Sequence, residues 1–477
     1  MKKLPYDPAQ GKDFWNAIRK LPGFPMHETM PIKEMIFESG ALFKTTDILK
    51  SIGAHQDTPL VIVMDETPML RAGEDLKELA LATLQNDGWQ VKITWMRADE
   101  SGQVHTDMPH IEEVKANLSH GCSVLSIGSG VVTDIAKHGS FLYQQETGGM
   151  IPFAVFQTAN SVSAYTSNMS PTFVDGVKRT LDSRYPDALI CDLETLRDAP
   201  KEMTAGGVGD MLAIFVSFPD WYLAYRLGMD LTYSELAKNL VGPLDELLID
   251  HAQGIRLGKI ESVAMLAKII ALGGLAMSLS HATTPMSGFE HVMSHVLDLQ
   301  AEIAHSPLSM HGSQVALATL AGTEMYHRFL SDFDPAALNL NNCYPGVDTM
   351  KMRIEERFRS IDPSGKAGAE CWADYKQKLE NWHAHRNDFE AVLMDWESLR
   401  TELAKETRSP EVILQILEAV DAPMRWSQLM PAVDEKQARF AFLNASLMRR
   451  RSTLGDLLIF TGWDRETLWE QIWKKYA

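Results

Sequence analysis

The spacing of apolar residues changes character near residue 200. Between residues 59 and 191, short apolar runs alternate with stretches whose apolar residues recur at helical spacing. The runs predict strands at residues 59–64, 91–95, 122–127, 152–156 and 188–191, and the pattern between the first four predicts helices at 74–86, 111–118 and 134–145. Short apolar strands that alternate with helices are typical of a parallel sheet covered on both faces. The first half is therefore predicted to be a Rossmann-like α/β domain.

One segment departs from this alternation. An Asp175-Gly176 pair lies between two β-prone runs within residues 169–180. Such a pair favours a tight turn, so a β-hairpin is predicted there.

Beyond residue 200 the pattern is helical. Helices are predicted at residues 211–227, 233–249, 259–279, 288–299, 314–329, 351–358, 382–406, 410–420, 435–449 and 464–476. Seven of the eleven tryptophans lie beyond residue 370 and are expected to close this helical core. We predict an N-terminal extension with an entry element at 1–57, an α/β domain at 58–200 and an all-α domain at 201–477.

Composition narrows the class of protein. The formal net charge of −18 over 477 residues leaves no basic surface to offset nucleic-acid phosphates, so no nucleic-acid partner is expected. The four cysteines show no metal-ligand spacing, and Cys122 and Cys191 are interpreted as small buried apolar residues. The N-terminus lacks the apolar stretch of a signal peptide, and no uncharged apolar run of about 18 residues predicts a membrane span. We expect a cytoplasmic enzyme.

Candidate chemistry is concentrated in a histidine-rich stretch. Five of the fifteen histidines fall between residues 281 and 311. His291 and His295 are four positions apart, which places both imidazoles on one face of a helix. His311 follows a short proline-containing break, and Asp210 follows a glycine-rich bend. One aspartate and two or three histidines can form an open catalytic metal site, but the spacing is equally compatible with scattered surface histidines.

A second candidate site lies at the ends of predicted strands. Gly128-Ser129-Gly130 joins a strand to a helix, and such a loop lets the backbone approach a pyrophosphate at the helix N-terminus. The third glycine of the full dinucleotide motif is absent, so an ordinary tight turn remains an alternative. Thr158 and Ser161 follow the next strand and would meet the same phosphate from the other side. Asp65 ends the first strand and would accept hydrogen bonds from an adenosine ribose, although a solvated acidic turn fits it equally well.

Several ordered motifs resemble the sn-glycerol-1-phosphate dehydrogenase family. The most distinctive are Thr158-Ala-Asn-Ser-Val-Ser-Ala-Tyr-Thr-Ser167 and Ser287-Gly-Phe-Glu-His-Val-Met-Ser-His295. Others lie at residues 174–181, 185–193, 199–210, 218–221, 311–312 and 448–453. That family belongs to the wider group of iron-dependent alcohol dehydrogenases, glycerol dehydrogenases and dehydroquinate synthases. The resemblance implies a nucleotide-binding α/β domain followed by a helical domain that binds the metal and the substrate.

The resemblance also assigns residues to the metal and the cofactor. It implies metal ligation by Asp210, His291 and His311, with His295 near the reacting carbon as a proton relay. It implies that NAD(H) or NADP(H) is bound by Asp65, Gly128, Ser129, Gly130, Asp134, Lys137, Thr158 and Ser161. A mixed nitrogen and oxygen ligand set suits zinc, with nickel or iron as alternatives.

The substrate residues match the family less closely. Arg449 and Arg451 match its C-terminal Arg-x-Arg pattern and would hold a substrate phosphate, although a surface charge run is the alternative. Ser163 stands where the family usually has an aspartate that contacts substrate hydroxyls. A substrate other than the usual one is therefore an open alternative.

The resemblance implies a metal-dependent, NAD(P)H-linked reduction of dihydroxyacetone phosphate or a related anionic ketone. It places the enzyme in phospholipid metabolism, acting on a small molecule as a homo-oligomer and without a membrane partner. Two alternatives remain: a sugar-phosphate cyclase of the dehydroquinate synthase kind, and a non-catalytic binding protein on the same fold.

Overall fold

The computed structural model describes residues 3–25, 27, 30–100, 102–174 and 177–477. The chain forms two compact units. The first comprises Met1–Met211 and Glu235–Leu279, and the second comprises Leu212–Ser234 and Ser280–Ala477. Helical segments beyond residue 200 therefore contribute to the first unit, so the division of the chain is discontinuous.

The first unit contains the parallel sheet that the apolar runs predict. The strands are β1 (Glu34–Glu38), β2 (Pro59–Asp65), β3 (Leu70–Arg71), β4 (Glu74–Asp75), β5 (Gln90–Met96), β6 (Ser123–Gly128), β7 (Phe153–Gln157), β8 (Met169–Val174), β9 (Val177–Asp182) and β10 (Ala188–Asp192). Six of them form one sheet in the order β1-β10-β7-β6-β2-β5, in which every pair is parallel. The predicted fold class is confirmed.

The edge strand β1 was not predicted as a strand of this sheet. It pairs with β10 over five residues, from Glu34 opposite Ala188 to Glu38 opposite Asp192. Its side chains are mostly half-buried, as an edge position allows, so its apolar pattern is weak. The chain before residue 58 therefore supplies part of the sheet.

The predicted hairpin is present. Strands β8 and β9 pair antiparallel, with Val174 opposite Val177. The predicted Asp175-Gly176 turn lies outside the described residues.

Helices make up most of the remaining chain. They are α1 (Lys12–Ile18), α2 (Thr45–Ser51), α3 (Leu76–Asn86), α4 (Met108–Asn117), α5 (Gly130–Thr147), α6 (Leu193–Asp198), α7 (Lys201–Leu212), α8 (Ile214–Arg226), α9 (Glu235–Val241), α10 (Leu244–Arg256), α11 (Ile260–Leu279), α12 (Phe289–Ile303), α13 (His311–Asp332), α14 (Val347–Arg359), α15 (Lys366–Ala384), α16 (Arg386–Met394), α17 (Trp396–Glu406), α18 (Pro410–Val420), α19 (Glu435–Asn444), α20 (Leu454–Phe460) and α21 (Arg465–Tyr476). Single turns of 3₁₀ helix lie at Pro8–Gln10, Ala41–Lys44, Ser163–Thr166, Thr284–Met286, Pro335–Ala337, Leu340–Cys343, Trp426–Gln428 and Ala445–Leu447.

Helix α7 corrects the predicted glycine-rich bend before Asp210. The helix runs through all of its glycines. A Cβ on Gly207 would lie 2.0 Å from the backbone oxygen of Asn160. Glycine is needed there so that α7 can pack closely on the loop after β7, and not to turn the chain.

Helix α11 is long and apolar enough to be considered as a membrane span, which the sequence analysis did not predict. By length and mean hydropathy (1.8) it could cross a membrane, but 78% of its most apolar window is buried inside the protein. It also carries Glu261 and Lys268. We describe it as a core helix of the first unit.

The second unit is helical, and its core is rich in tryptophan. Trp382, Trp396, Trp426 and Trp469 are buried, as predicted. The helix predicted over residues 382–406 is instead the end of α15 followed by α16 and α17, with breaks at His385 and Asp395. Periodicity alone did not reveal these breaks, because apolar spacing continues across them.

Candidate functional site

The Gly128-Ser129-Gly130 loop connects β6 directly to α5. Gly128 ends the strand, Ser129 is the N-cap residue and Gly130 begins the helix. The Ser129 side chain makes no capping hydrogen bond, and the first-turn amides of a helix can bind an anion. A Cβ on Gly130 would lie 2.4 Å from a Val162 methyl group, so glycine lets the two loops meet. The loop has the geometry of an anion-binding helix terminus.

The second loop lies beside the first. The Thr158 amide donates a hydrogen bond to the Gly128 carbonyl oxygen at 3.2 Å. The Tyr165 hydroxyl donates to the Ala159 carbonyl at 2.7 Å, so the Ser161 hydroxyl, 3.0 Å from the Tyr165 oxygen, is the donor in that pair. The prediction that these loops meet at the carboxyl ends of neighbouring strands agrees with this arrangement.

The ammonium group of Lys137 makes its hydrogen bonds within the protein. Its ammonium group is buried and donates to Asp134 at 2.6 Å, to the Ala164 carbonyl at 3.0 Å and to the Met169 carbonyl at 2.8 Å. An ammonium group has three donors, and all three serve protein oxygens. Burial raises the pKa of Asp134, and the Lys137 charge opposes that shift. The pair therefore holds the segment that carries Ser163, and Lys137 has no donor left for a cofactor.

Asp65 ends β2 at the same edge of the sheet and is buried. Its carboxylate accepts hydrogen bonds from the Thr67 amide at 3.2 Å and the Thr67 hydroxyl at 3.0 Å. The Lys77 ammonium lies 3.2 Å from the same carboxylate. Asp65 is therefore not part of a solvated acidic turn. The Lys77 ammonium group already offsets part of its negative charge.

The predicted metal ligands come from three helices. Asp210 lies near the end of α7, His291 in the first turn of α12, and His311 at the start of α13. Asp210 and His291 are buried, and His311 is half-buried. Each of the three offers one ligand atom, and these atoms lie within 4.8 Å of one another. A carboxylate and two imidazoles at this separation fit one divalent cation.

His295 accompanies this group, one turn beyond His291 on α12. Its ring centroid lies 6.2 Å from that of His311 and 6.4 Å from that of His291. The other two histidines of the stretch, His281 and His305, are exposed and have positive φ angles. They belong to turns.

Ser163 lies directly beside one of these predicted ligands. Its backbone amide donates a hydrogen bond to Asp210 Oδ2 at 3.2 Å. The residue that departs from the family's pattern is therefore next to the aspartate expected to hold the metal.

Arg451 makes its hydrogen bonds within the protein. Its guanidinium donates to the backbone oxygen and the hydroxyl of Ser287 and to the Thr283 hydroxyl. Burial lowers its pKa to about 10. These contacts fix the loop before α12. Arg449 is half-buried, and the expected role of Arg449 and Arg451 as substrate anchors stays a prediction.

Sequence reasoning did not identify three buried polar residues near the predicted ligands. Glu290 is hydrogen-bonded to His291, Ser294 is hydrogen-bonded to His311, and Gln314 accepts the Ser294 hydroxyl. The available signal was their placement next to, or one helical turn from, the predicted ligands.

Three kinds of comparison relate the chain to known proteins. A family model described as iron-containing alcohol dehydrogenase matches residues 36–200. The chain is 28% identical to glycerol-1-phosphate dehydrogenase (NAD(P)+) of Bacillus subtilis over 308 residues, which are 64% of this chain and 75% of that protein. It is 30% identical to the protein of the same name from Bacillus velezensis over 281 residues, which are 58% of this chain and 68% of that protein. A probable glycerol dehydrogenase from Sinorhizobium meliloti 1021 has a similar fold, with a TM-score of 0.55 at 15% identity, covering 92% of this chain and 98% of that one.

Proposed function

Because the chain belongs to the glycerol-1-phosphate dehydrogenase family of the iron-containing alcohol dehydrogenases, we propose that it reduces dihydroxyacetone phosphate, or a closely related anionic ketone, to the alcohol. Family membership makes it an NAD(P)-linked oxidoreductase that uses a divalent metal ion. The ketone, the metal and the residues that hold them are proposed from the chemistry of the described side chains.

One observation carries the proposal: ligand atoms of Asp210, His291 and His311 lie within 4.8 Å of one another. We propose that these residues hold the ion and that it is zinc, since one carboxylate and two imidazoles form a donor set that zinc accepts. When bound there, the ion supplies Lewis-acid stabilisation of charge on a substrate oxygen, and the nicotinamide supplies or accepts hydride.

The residues of the chain have to bind the substrate and transfer a proton to or from its oxygen. We propose that His295, whose ring centroid lies 6.4 Å from that of His291 and 6.2 Å from that of His311, exchanges a proton with the substrate oxygen, directly or through one water. Asp210 is held by the Ser163 amide, so its carboxylate keeps one orientation. No nucleophilic side chain is required.

We propose that the two loops after β6 and β7 bind the cofactor pyrophosphate, with Asp65 beside the adenosine ribose. Negative charge at Asp65 would disfavour the 2′-phosphate of NADP, but Lys77 offsets part of that charge. We expect a preference for NAD of about ten-fold or more, since a lost hydrogen bond to a charged group is worth roughly 1.5–3 kcal/mol. Titration calorimetry of NADH and NADPH measures this ratio, and equal affinities would mean that Asp65 does not contact the ribose.

The substrate proposal depends on Ser163. A neutral hydroxyl in place of a carboxylate removes one negative charge beside Asp210, which favours an anionic ketone over an uncharged polyol. We therefore expect efficient turnover of a phosphorylated ketone, held by Arg449, and poor turnover of glycerol. The Ser163→Asp variant should shift this preference. An unchanged preference in that variant would mean that Ser163 does not face the substrate.

The decisive assay follows the absorbance of the reduced cofactor with dihydroxyacetone phosphate and a panel of keto-phosphates. Net oxidation of NADH or NADPH is the expected result. Product formation without net cofactor change would identify a cyclase of the dehydroquinate synthase kind. Absence of turnover in the metal-loaded protein would leave the non-catalytic alternative.

We also propose that the enzyme is a cytoplasmic homo-oligomer. All four cysteines are buried, and a reducing compartment keeps buried thiols of this kind reduced. Cell fractionation tests the location, and light scattering that gives a mass of 53.3 kDa, that of one chain, would contradict the oligomer. A role in phospholipid metabolism follows only if the product is sn-glycerol-1-phosphate.

A further inference from the structure

Each of the two ligand histidines has a ring nitrogen bound to a buried polar side chain. His291 Nδ1 lies 2.9 Å from Glu290 Oε1, and His311 Nδ1 lies 3.2 Å from Ser294 Oγ. Glu290 and Ser294 are both fully buried. The same nitrogen is thus held on both rings, by residues to which nothing so far assigns a role.

In the hydrogen bond between His291 and Glu290, only the histidine can be the donor. The same oxygen of Glu290 accepts the Gly288 amide at 2.6 Å, so the carboxylate is anchored at the first turn of α12. A helix N-terminus also stabilises a negative charge. An ionised carboxylate can only accept, so His291 Nδ1 must carry the proton, and the lone pair of a neutral ring is left on Nε2.

The hydrogen bond between His311 and Ser294 also determines which ring nitrogen of His311 carries the proton. Ser294 Oγ lies 2.6 Å from the amide oxygen of Gln314, which can only accept. The serine proton is therefore directed to Gln314, and the serine oxygen accepts the proton on His311 Nδ1. This chain leaves the lone pair of His311 on Nε2 as well.

We propose that Glu290 and Ser294 are positioning residues that make both histidines metal ligands through Nε2. The proposal rests on the proposed metal site, and it adds which atom of each ring binds and what holds that atom in place. Partners of this kind orient the ring and increase the basicity of the ligand atom, and their loss weakens metal binding by about 10–100-fold. The charged partner should matter more than the hydroxyl.

The test measures zinc affinity of the full-length, metal-stripped chain by competition with a chelator. Glu290→Gln and Ser294→Ala should each weaken zinc binding, by about 10–100-fold for the first and nearer ten-fold for the second. Glu435→Gln is a matched control, because Glu435 is also a first-turn glutamate of a helix in the second unit but is exposed. It should bind zinc as tightly as the unaltered chain.

A second readout does not depend on how well the variants fold. In the metal-free, unaltered chain with ¹⁵N-labelled histidine, the ring nitrogen shifts should show His291 and His311 protonated at Nδ1. Protonation of either ring at Nε2 alone would overturn the proposal, as would unchanged zinc affinity in both variants. Failure of the proposed function is distinguishable, because the unaltered chain itself would then bind no zinc at these histidines.

Discussion

A buried ion pair in the second unit offers the sharpest test of how its fold is stabilised. Lys378 of α15 is fully buried, and its ammonium group lies 2.7 Å from Asp456 of α20. It also donates to the carbonyl oxygens of Ser446 and Arg451, at 3.1 Å for the latter. The Lys378 side chain thus holds the loop that carries Arg449 in place. We choose Lys378→Met as the perturbation.

The expected cost follows from what this variant leaves behind. Asp456 would keep hydrogen bonds from the Thr453 amide and hydroxyl but would lose the cation. Burial already raises the pKa of Asp456 and lowers that of Lys378, because both charged forms are removed from water. Leaving one member of such a pair uncompensated costs about 3–5 kcal/mol. The unfolded fraction of the second unit should therefore rise by two to four orders of magnitude, at about 1.4 kcal/mol for each ten-fold change.

Urea unfolding followed by tryptophan fluorescence measures this loss, since eight of the eleven tryptophans belong to the second unit. The double variant Lys378→Met with Asp456→Asn is the control, because it removes both charges. It should be more stable than the sum of the two single losses predicts, with a coupling of about 2 kcal/mol or more. A loss below about 1 kcal/mol in Lys378→Met, or strictly additive losses, would mean that the ion pair contributes little to the stability of the second unit.

Two further predictions concern stability. Burial raises the pKa of Asp220 to about 7 from 3.8, so the folded chain takes up a proton between these values while the unfolded chain does not. From pH 8 to pH 6 the free energy of unfolding should therefore rise by about 1.4 kcal/mol relative to the Asp220→Asn variant, and a pH-independent difference in urea unfolding would contradict this. Gly207→Ala should lower the melting temperature, because its Cβ would lie 2.0 Å from the Asn160 carbonyl oxygen and backbone must move, at a cost of about 1–3 kcal/mol. An unchanged melting temperature by differential scanning calorimetry would mean that α7 and the loop separate without cost.

The sequence predicts the sheet well because its central strands are buried on both faces. An uninterrupted apolar run such as that in β2 has few alternative explanations when helices flank it. The edge strand β1 lacks that signal, since four of its five side chains are only half-buried. The composition of α7 was misleading, because a glycine that serves close packing looks the same in a sequence as a glycine that serves a turn.

The site was predicted less completely than the fold. Asp210, His291 and His311 could be identified by residue type and by resemblance to a family, and their ligand atoms do lie together. The partners of Lys137 and Arg451 could not be foreseen, because they are backbone and side-chain oxygens distant in sequence. A motif match specifies which residue type stands at a position. It does not specify whether that residue's donors face a ligand or the protein.

If Asp210, His291 and His311 hold one catalytic divalent ion, as we propose, the His311→Ala variant should lose zinc. The unaltered chain and the variant are equilibrated with zinc, freed of excess metal and compared by elemental analysis, with circular dichroism as the check on folding. We expect about one ion per chain in the unaltered protein. We expect almost none in the variant, with unchanged helicity and no reduction of dihydroxyacetone phosphate. Stoichiometric zinc in a folded His311→Ala protein would contradict this proposal.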